Sequence, residues 1–597
     1  MPGMGSGLDA TNPALVAAFF SALLFQLIIV GVIVAALLVA YAATRRRRAA
    51  NPRPAPAAEP RSRRFLRIAF GVLWIFDAVL QAQPKMAGGL PSQVIAPVAS
   101  ASPDWVQQVV NFGGTIWSYH PVQAAASAVW IQAGLGIWLL AATTGWSSRL
   151  AGLAGAGWGL IVWVFGEAFG GIFAPGLTWL SGAPGAVVLY VVAGALIALP
   201  MRAWAGPRLG RLLLAGVGVF WIGMAVLQAW PGRGFWQGGD SGVLTAMVSS
   251  MADVSQPHVQ SAMLSAFAGF VNSHAFAVNL FVVVALAALG ATFVIGRPRI
   301  LRYALPVATV FCVAVWVLVQ DLGFPGGLGT DPNSMVPWVL LLWGGYIAVT
   351  ERAVATAAES PLPRPSFAAM RRSLAASTPR SLIVLGSVGV ILLGAVPMAA
   401  ASVDRNADPI IAQAIAGGAP VPQDRPAPSF QLTSGETGQP VSLASLHGKV
   451  VLLTFLDPVC VGCPQIAQQL HAASGLLGPA NGRVAVVAIA ASTMHSRVTF
   501  IKSFDYRQGL TAASDWQFLT GTPADLEQVW SAYEKISPGM MAGMMVHSEI
   551  VFVIDATGQI RWEVKDAPGP ATESAQSSFA VLLANAARQT LSLSNQQ

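Results

Sequence analysis

Two of the chain's three cysteines stand as Cys460-Val-Gly-Cys463. At that spacing two thiols can close a disulfide within one helical turn or offer two soft ligands to one metal ion. Where such a pair opens a helix, free backbone amides and the helix dipole stabilise the first thiolate and make it nucleophilic near neutral pH. A permanent stapling disulfide seldom occupies a strand-to-helix turn, and zinc would need two further ligands of matching geometry. Asp457, three residues before Cys460, either tunes that thiol or begins the turn. His495, after a predicted strand, could reach the same rim and is expected at the surface, whereas His447 and His471 lack a partner by spacing and read as solvated. Cys312 is alone in an apolar run and reads as a packed core thiol.

A second set of polar residues lies in or beside apolar runs: Gln81, His120 and Glu167, then Gln228, His274 and Gln320/Asp321. Polar groups are expensive inside a bilayer and are candidates for function there. Two readings stay open: a quinone, haem or copper site, or interhelical hydrogen bonding at the ends of helices. Asp77 is mid-run where its counterpart is Met224, so its carboxyl must be neutral or paired.

The elements that position these residues follow from composition. Of 597 residues 54% are hydrophobic and 10% charged, and the mean hydropathy is +0.60. Soluble domains carry about 25% charged residues, which excludes a single soluble enzyme. Ten apolar runs approach the ~20 residues that cross a bilayer as helices: 14–43, 65–83, 122–142, 149–170, 184–201, 211–230, 264–296, 302–320, 335–350 and 381–402. The first precedes Arg45–Arg48 without a small-residue cleavage site and reads as an uncleaved anchor.

The net charge of +8 is unevenly placed: 23 Lys+Arg and 11 Asp+Glu precede residue 403, and 11 and 15 follow. Segments 44–67, 143–151, 201–211, 297–302 and 351–380 hold 21 arginines, while the intervening connections hold only Lys85 and Arg233. The positive-inside rule makes the arginine-rich set cytoplasmic and puts both the amino terminus and residues beyond 402 outside. The expected location is the bacterial cytoplasmic membrane, multi-pass, with the C-terminal domain extracytoplasmic. The partners are then lipid and an extracytoplasmic cysteine protein, and nucleic acid drops out.

Gly71–Pro84 recurs as Gly218–Pro231 with ten of fourteen positions identical. His120 matches His274, and Trp163-Val164 matches Trp316-Val317. Such self-similarity predicts two parallel four-helix repeats. The Gly-rich first span followed by Lys85-Met86 weakly resembles the DoxX family; the second copy lacks the Lys-Met pair.

Beyond an Ala/Pro/Asp-rich linker at 403–428, strands are expected at 430–432, 441–443, 449–455, 483–490 and 549–554. Helices are expected from Pro464, near 523–534 and within 573–591. A strand running into Cys-x-x-Cys at a helix start is the thioredoxin-like arrangement. Residues from about 425 to 591 resemble the Sco/SenC family in Val450–Pro464, Trp516–Thr522 and Val546–Asp555. The resemblance implies copper bound by Cys460, Cys463 and His547, with cytochrome c oxidase assembly as the setting. Two thiolates and an imidazole suit copper. Met540, Met541, Met544 and Met545 either add soft ligands or form an apolar loop over the site. The family usually places three residues between its cysteines and this chain has two, the spacing of TlpA- and ResA-like thiol–disulfide oxidoreductases.

The expected architecture is a polytopic α-helical membrane protein with a C-terminal thioredoxin-like α/β domain. Its parts are an anchor at 1–44, a basic linker at 45–64, repeats at 65–201 and 202–350, a linker at 351–380, a tenth span at 381–402, a linker at 403–428 and the α/β domain at 429–597. Cys460 is the expected attacking thiolate and Cys463 the resolving thiol. On the first of the two readings above, Gln81, His120, Glu167, Gln228 and His274 would be the ligands of a quinone or haem.

Overall fold

The computed structural model describes residues 13–48, 59–351, 379–403, 421–458, 463–533, 550–565 and 579–594. Short breaks fall at 96–97, 100–101, 104, 107–108, 111–112, 114–116, 118–119, 175, 240–241, 253–255, 326–327 and 494. The first part is helical: α1 Pro13–Arg48, α2 Arg61–Gln81, α3 Pro121–Ala141, α4 Gly145–Phe165, α5 Ala186–Ala198, α6 Arg208–Ala229, α7 Val243–Ala252, α8 His258–Ile295, α9 Pro298–Leu318, α10 Met335–Thr350 and α11 Pro379–Val403.

Seven of these helices (α1, α3, α4, α6, α8, α9 and α11) are long and apolar enough to cross a membrane. Runs 65–83, 184–201 and 335–350 fall in helices outside that group. α2 carries four arginines and Asp77, and α5 and α10 have only 13 and 16 residues. Outward faces are apolar: Leu24, Phe25, Ile28, Val32 and Val39 of α1 are all exposed.

Glycines set the closest helix crossings. A Cβ on Gly136 would sit 2.6 Å from the Gly71 carbonyl, and one on Gly218 would run into the Gly290 carbonyl. Small residues that let backbones meet are a usual means of packing helices in apolar surroundings.

Charge closes the end of the helical body where α2 begins. Arg63 and Arg67 are buried and share Glu59 at 2.7 and 2.9 Å. Arg63 also donates to the carbonyls of Thr143 and Ile197 and to Ser148 Oγ, and Arg67 to the carbonyls of Leu139 and Leu140. Apart from that of Thr143, just past α3, these carbonyls belong to the last turns of α3 and α5, where intrahelical donors run out. Glu351, just past α10, accepts from the Arg61 and Ser62 amides at 2.7 and 3.2 Å and so caps α2.

The C-terminal part contains strands β1 Val421–Pro426, β2 Gln431–Ser434, β3 Pro440–Ser442, β4 Val450–Leu456, β5 Val484–Ala490, β6 Trp516–Thr520, β7 Ile550–Ile554 and β8 Gln559–Lys565. Its helices are α12 Cys463–Leu476, α13 Val498–Gln508, α14 Pro523–Ala532 and α15 Phe579–Ser594. One sheet runs β1-β8-β7-β4-β5-β6-β2-β3, with β4, β5 and β6 parallel and the other pairings antiparallel. β4 and β5 are buried along their whole length, as strands covered on both faces must be. The sheet starts earlier than residue 429: β1 lies in the segment read as linker because it pairs antiparallel with β8. β6, β8 and α13 join the elements expected from the sequence.

Asp505 of α13 is buried and accepts Trp516 Nε1–H at 2.9 Å. Burial pushes its carboxyl up to about 7, against the opposing hydrogen bond from Trp516.

Two predictions follow from this packing. Gly218→Ala should lower the thermal stability of the full chain by about 1–3 kcal/mol, the usual cost of overpacking. Gly216→Ala on the same helix, where a Cβ meets nothing within 4 Å, should be silent in the same melting assay. Asp505 keeps a proton in the fold that the unfolded chain releases above its ordinary value of 3.8. Its contribution is therefore fully present at low pH and lost as pH rises to about 7, up to about 4 kcal/mol. Hydrogen exchange of α13 and β6, corrected for intrinsic rates, should show protection falling between about pH 4 and 7, and Asp505→Asn should flatten that fall.

Candidate functional site

β4 delivers the chain to the site. Its seven residues run in parallel register with β5, from Val450 opposite Val484 to Leu456 opposite Ala490. Just past β4 come Asp457 and Pro458, and α12 begins at Cys463 with Pro464 in its first turn, where a missing N–H costs nothing. Cys463 is completely buried, and its sulfur accepts the Asp457 backbone N–H at 3.3 Å. Cys460, His547 and the methionines from Met540 to Met545 lie outside the described residues. Among the described residues no group of three or more His, Cys, Asp or Glu is placed to hold a metal.

His495 corrects an expectation. It is not at the surface but 5% exposed, and its Nδ1 donates to both Asp457 oxygens, at 2.9 and 3.0 Å. The edge of its ring meets Phe500 at 5.4 Å. The parallel register of β4 and β5 brings the two together, since the loop leaving β5 must pass the end of β4. Their separation of 38 residues gave no local signal. His447 and His471 are exposed, as their spacing suggested.

In the helical part the expected ligands have separate neighbours. Gln228 is buried, accepting from Thr178 Oγ1 at 2.7 Å and donating to Asn279 Oδ1 at 2.9 Å. Glu167 accepts the amides of Ala186 and Val187 at 3.0 and 3.2 Å and thereby caps α5. His120 is buried at the start of α3, and Gln81 is buried with its carbonyl oxygen lacking a hydrogen-bond partner among the described residues. His274 is exposed at a kink in α8; its Nδ1 lies 3.1 Å from the Phe270 carbonyl and its ring stacks on Phe270 at 4.6 Å. Phe270 also lines an apolar cavity of about 340 Å³ together with Phe267, Phe281, Phe311 and Leu318. For Gln228 and Glu167 the geometry matches hydrogen bonding and capping. Asp77 faces Tyr190, whose hydroxyl lies 3.4 Å from its carboxylate. Cys312 is a buried core residue.

Residues 424–563 match the AhpC/TSA family. Together with the parallel β4-β5-β6 core and the Cys463 helix start, this makes the C-terminal part a thioredoxin-fold domain. Its neighbours among solved structures include Sco proteins. The Bradyrhizobium japonicum ScoI structure with copper bound is 20% identical, with 28% of this chain and 98% of that one covered and a TM-score of 0.22. Apo Sco1 from Thermus thermophilus is 21% identical, with 29% and 95% covered and a TM-score of 0.23. The thioredoxin domain of a thiol-disulfide oxidoreductase from Bacteroides vulgatus is 16% identical, with 28% and 94% covered and a TM-score of 0.20. A search of curated proteins finds no match to the chain.

Proposed function

We propose that the chain is a membrane-anchored, extracytoplasmic Sco-like protein that handles copper, or cysteines destined to hold copper, for cytochrome c oxidase assembly. The observation that carries this reading is the Cys463 sulfur at the start of α12, buried and held by the Asp457 N–H. A buried sulfur cannot meet a partner protein directly, which favours Cys460 as the attacking group and Cys463 as the resolving one. The Cys460 thiolate attacks a partner disulfide, forming a mixed disulfide and releasing one partner thiol. Cys463 then attacks the Cys460 sulfur, freeing the second partner thiol and leaving the Cys460–Cys463 disulfide; two electrons have passed to the partner. Cys460, Cys463 and His547 form a donor set of two thiolates and one imidazole that suits copper as cargo.

The membrane reading rests on the exposed apolar faces of α1, α8 and α9 and on the arginine asymmetry, which puts the C-terminal domain outside. The paired crossings Gly71/Gly136 and Gly218/Gly290 support a duplicated bundle. Within it, a quinol carried by the helices is the reductant class that would regenerate the dithiol. The two-residue spacing favours a second reading, a TlpA/ResA-like oxidoreductase that exchanges thiols without physiological copper.

Titrating Cu(I) into the purified full chain against a competing chelator separates the two readings. Wild type should bind one ion, and His547→Ala should bind at least about ten-fold more weakly, since removing even an outer-shell partner of a metal site costs about that much. Equal weak binding by both would leave only thiol exchange. A Cys460→Ser chain that still reduces a partner disulfide would remove the assigned roles.

A further inference from the structure

We propose that His495 is a positioning residue for the Cys460/Cys463 couple, acting through Asp457. The inference rests on the thiol reading above and adds to it a group 32 residues beyond Cys463 in the chain. Three observations carry it. First, the carboxylate that His495 holds and the N–H that reaches the Cys463 sulfur belong to one residue, Asp457. The next residue is Pro458, which restricts the Asp457 backbone to extended conformations. Fixing the Asp457 side chain therefore also fixes the direction of its N–H.

Second, the segment carrying His495 is itself anchored. The Ala491 amide donates to the Leu456 carbonyl at 2.9 Å, Trp530 Nε1–H donates to the Ala490 carbonyl at 3.0 Å, and Thr520 Oγ1 donates to the Ser496 carbonyl. The histidine is thus held by β4, β6 and α14, and the Phe500 ring packs against it. Third, the pair is nearly dry: the His495 side chain is 6% and the Asp457 side chain 15% exposed. Taking an imidazole and a carboxylate out of water is costly. An apolar contact would tie the two segments together without that cost, so holding the N–H against the sulfur is the feature that requires the polar pair.

An N–H donated to sulfur strengthens as negative charge collects on the sulfur. Holding it in place favours the reduced couple over the disulfide and keeps the Cys463 sulfur oriented for resolution. Asn in place of His495 presents an amide N–H where Nδ1–H was and can keep the Asp457 carboxylate in position, whereas Ala cannot.

The test equilibrates the full chain in detergent with glutathione buffers, traps thiols with maleimide and counts them above the constant thiol of Cys312. Reduction of a model disulfide is timed in parallel. His495→Ala should shift the equilibrium towards the disulfide and slow exchange by about ten-fold or more, in the range seen when outer-shell partners of a reactive site are removed. His495→Asn should stay close to wild type, and circular dichroism should show both variants folded. If His495→Ala does not fold, the Asn variant decides: wild-type exchange upholds the proposal and a loss overturns it. Ala and Asn variants that both match wild type, or both lose exchange equally, overturn the positioning role, as does failure of both to fold. A wild-type chain with no reducible couple fails the thiol reading itself; a wild-type couple that both substitutions leave unmoved fails only the role of His495.

Discussion

The candidate site depends on one constraint, the parallel register of β4 with β5. Seven consecutive residues pair, and both strands are buried throughout. That register places the carboxyl ends of two adjacent strands side by side, the position at which α/β sheets habitually gather their chemistry. Asp457 leaves one strand and the loop to His495 leaves the other. The first turn of α12 then closes over them with Cys463. A slip of one residue would exchange the faces of a strand and move Asp457 away from both the imidazole and the sulfur.

The helical part solves a different problem with related means. Its interior is apolar, and several of the polar groups it encloses are paired or serve as caps, although others, such as the Gln81 carbonyl oxygen, have no hydrogen-bond partner among the described residues. Gln228 joins Thr178 to Asn279, Glu167 ends α5, and Glu59 with two arginines covers the last carbonyls of α3 and α5. Arg63 and Arg67 therefore have two uses. They count among the 21 arginines of the charge pattern, and they are also buried ligands of a carboxylate and of helix ends. Removing one would leave Glu59 buried and underpaired, so the charge asymmetry cannot be treated as free surface charge at these two positions.

How much was legible in the sequence follows from the range of each interaction. Apolar runs and Cys-x-x-Cys are local, and the helices of the ten apolar runs, β4, β5 and the start of α12 fall where the pattern put them, whereas α7 and α13 carried no such signal. β1 was hidden because Val421–Pro426 contains two prolines and reads as linker; only its pairing with β8, about 140 residues away, makes it a strand. The burial of His495 was hidden for the same reason. A histidine after a strand looks solvent-facing until the neighbouring strand supplies an acidic partner. The hydrogen bonds of Gln228 and Glu167 were equally invisible, because polar residues at helix ends carry the same pattern whether they meet a ligand or a neighbouring helix.

The two cysteines should consequently differ in kind although their sequence context is nearly symmetric. Cys463 has no exposure and an oriented N–H on its sulfur, and the Asp457 oxygens are turned to His495. The Asp457 backbone N–H links that carboxylate's residue to the sulfur. A backbone donor cannot remove a proton; it can only favour negative charge and fix direction. The Asp457–His495 pair thus bears on the energy and orientation of the Cys463 sulfur. In a thiol exchange the departing partner thiolate is itself competent to take the proton that this thiol loses.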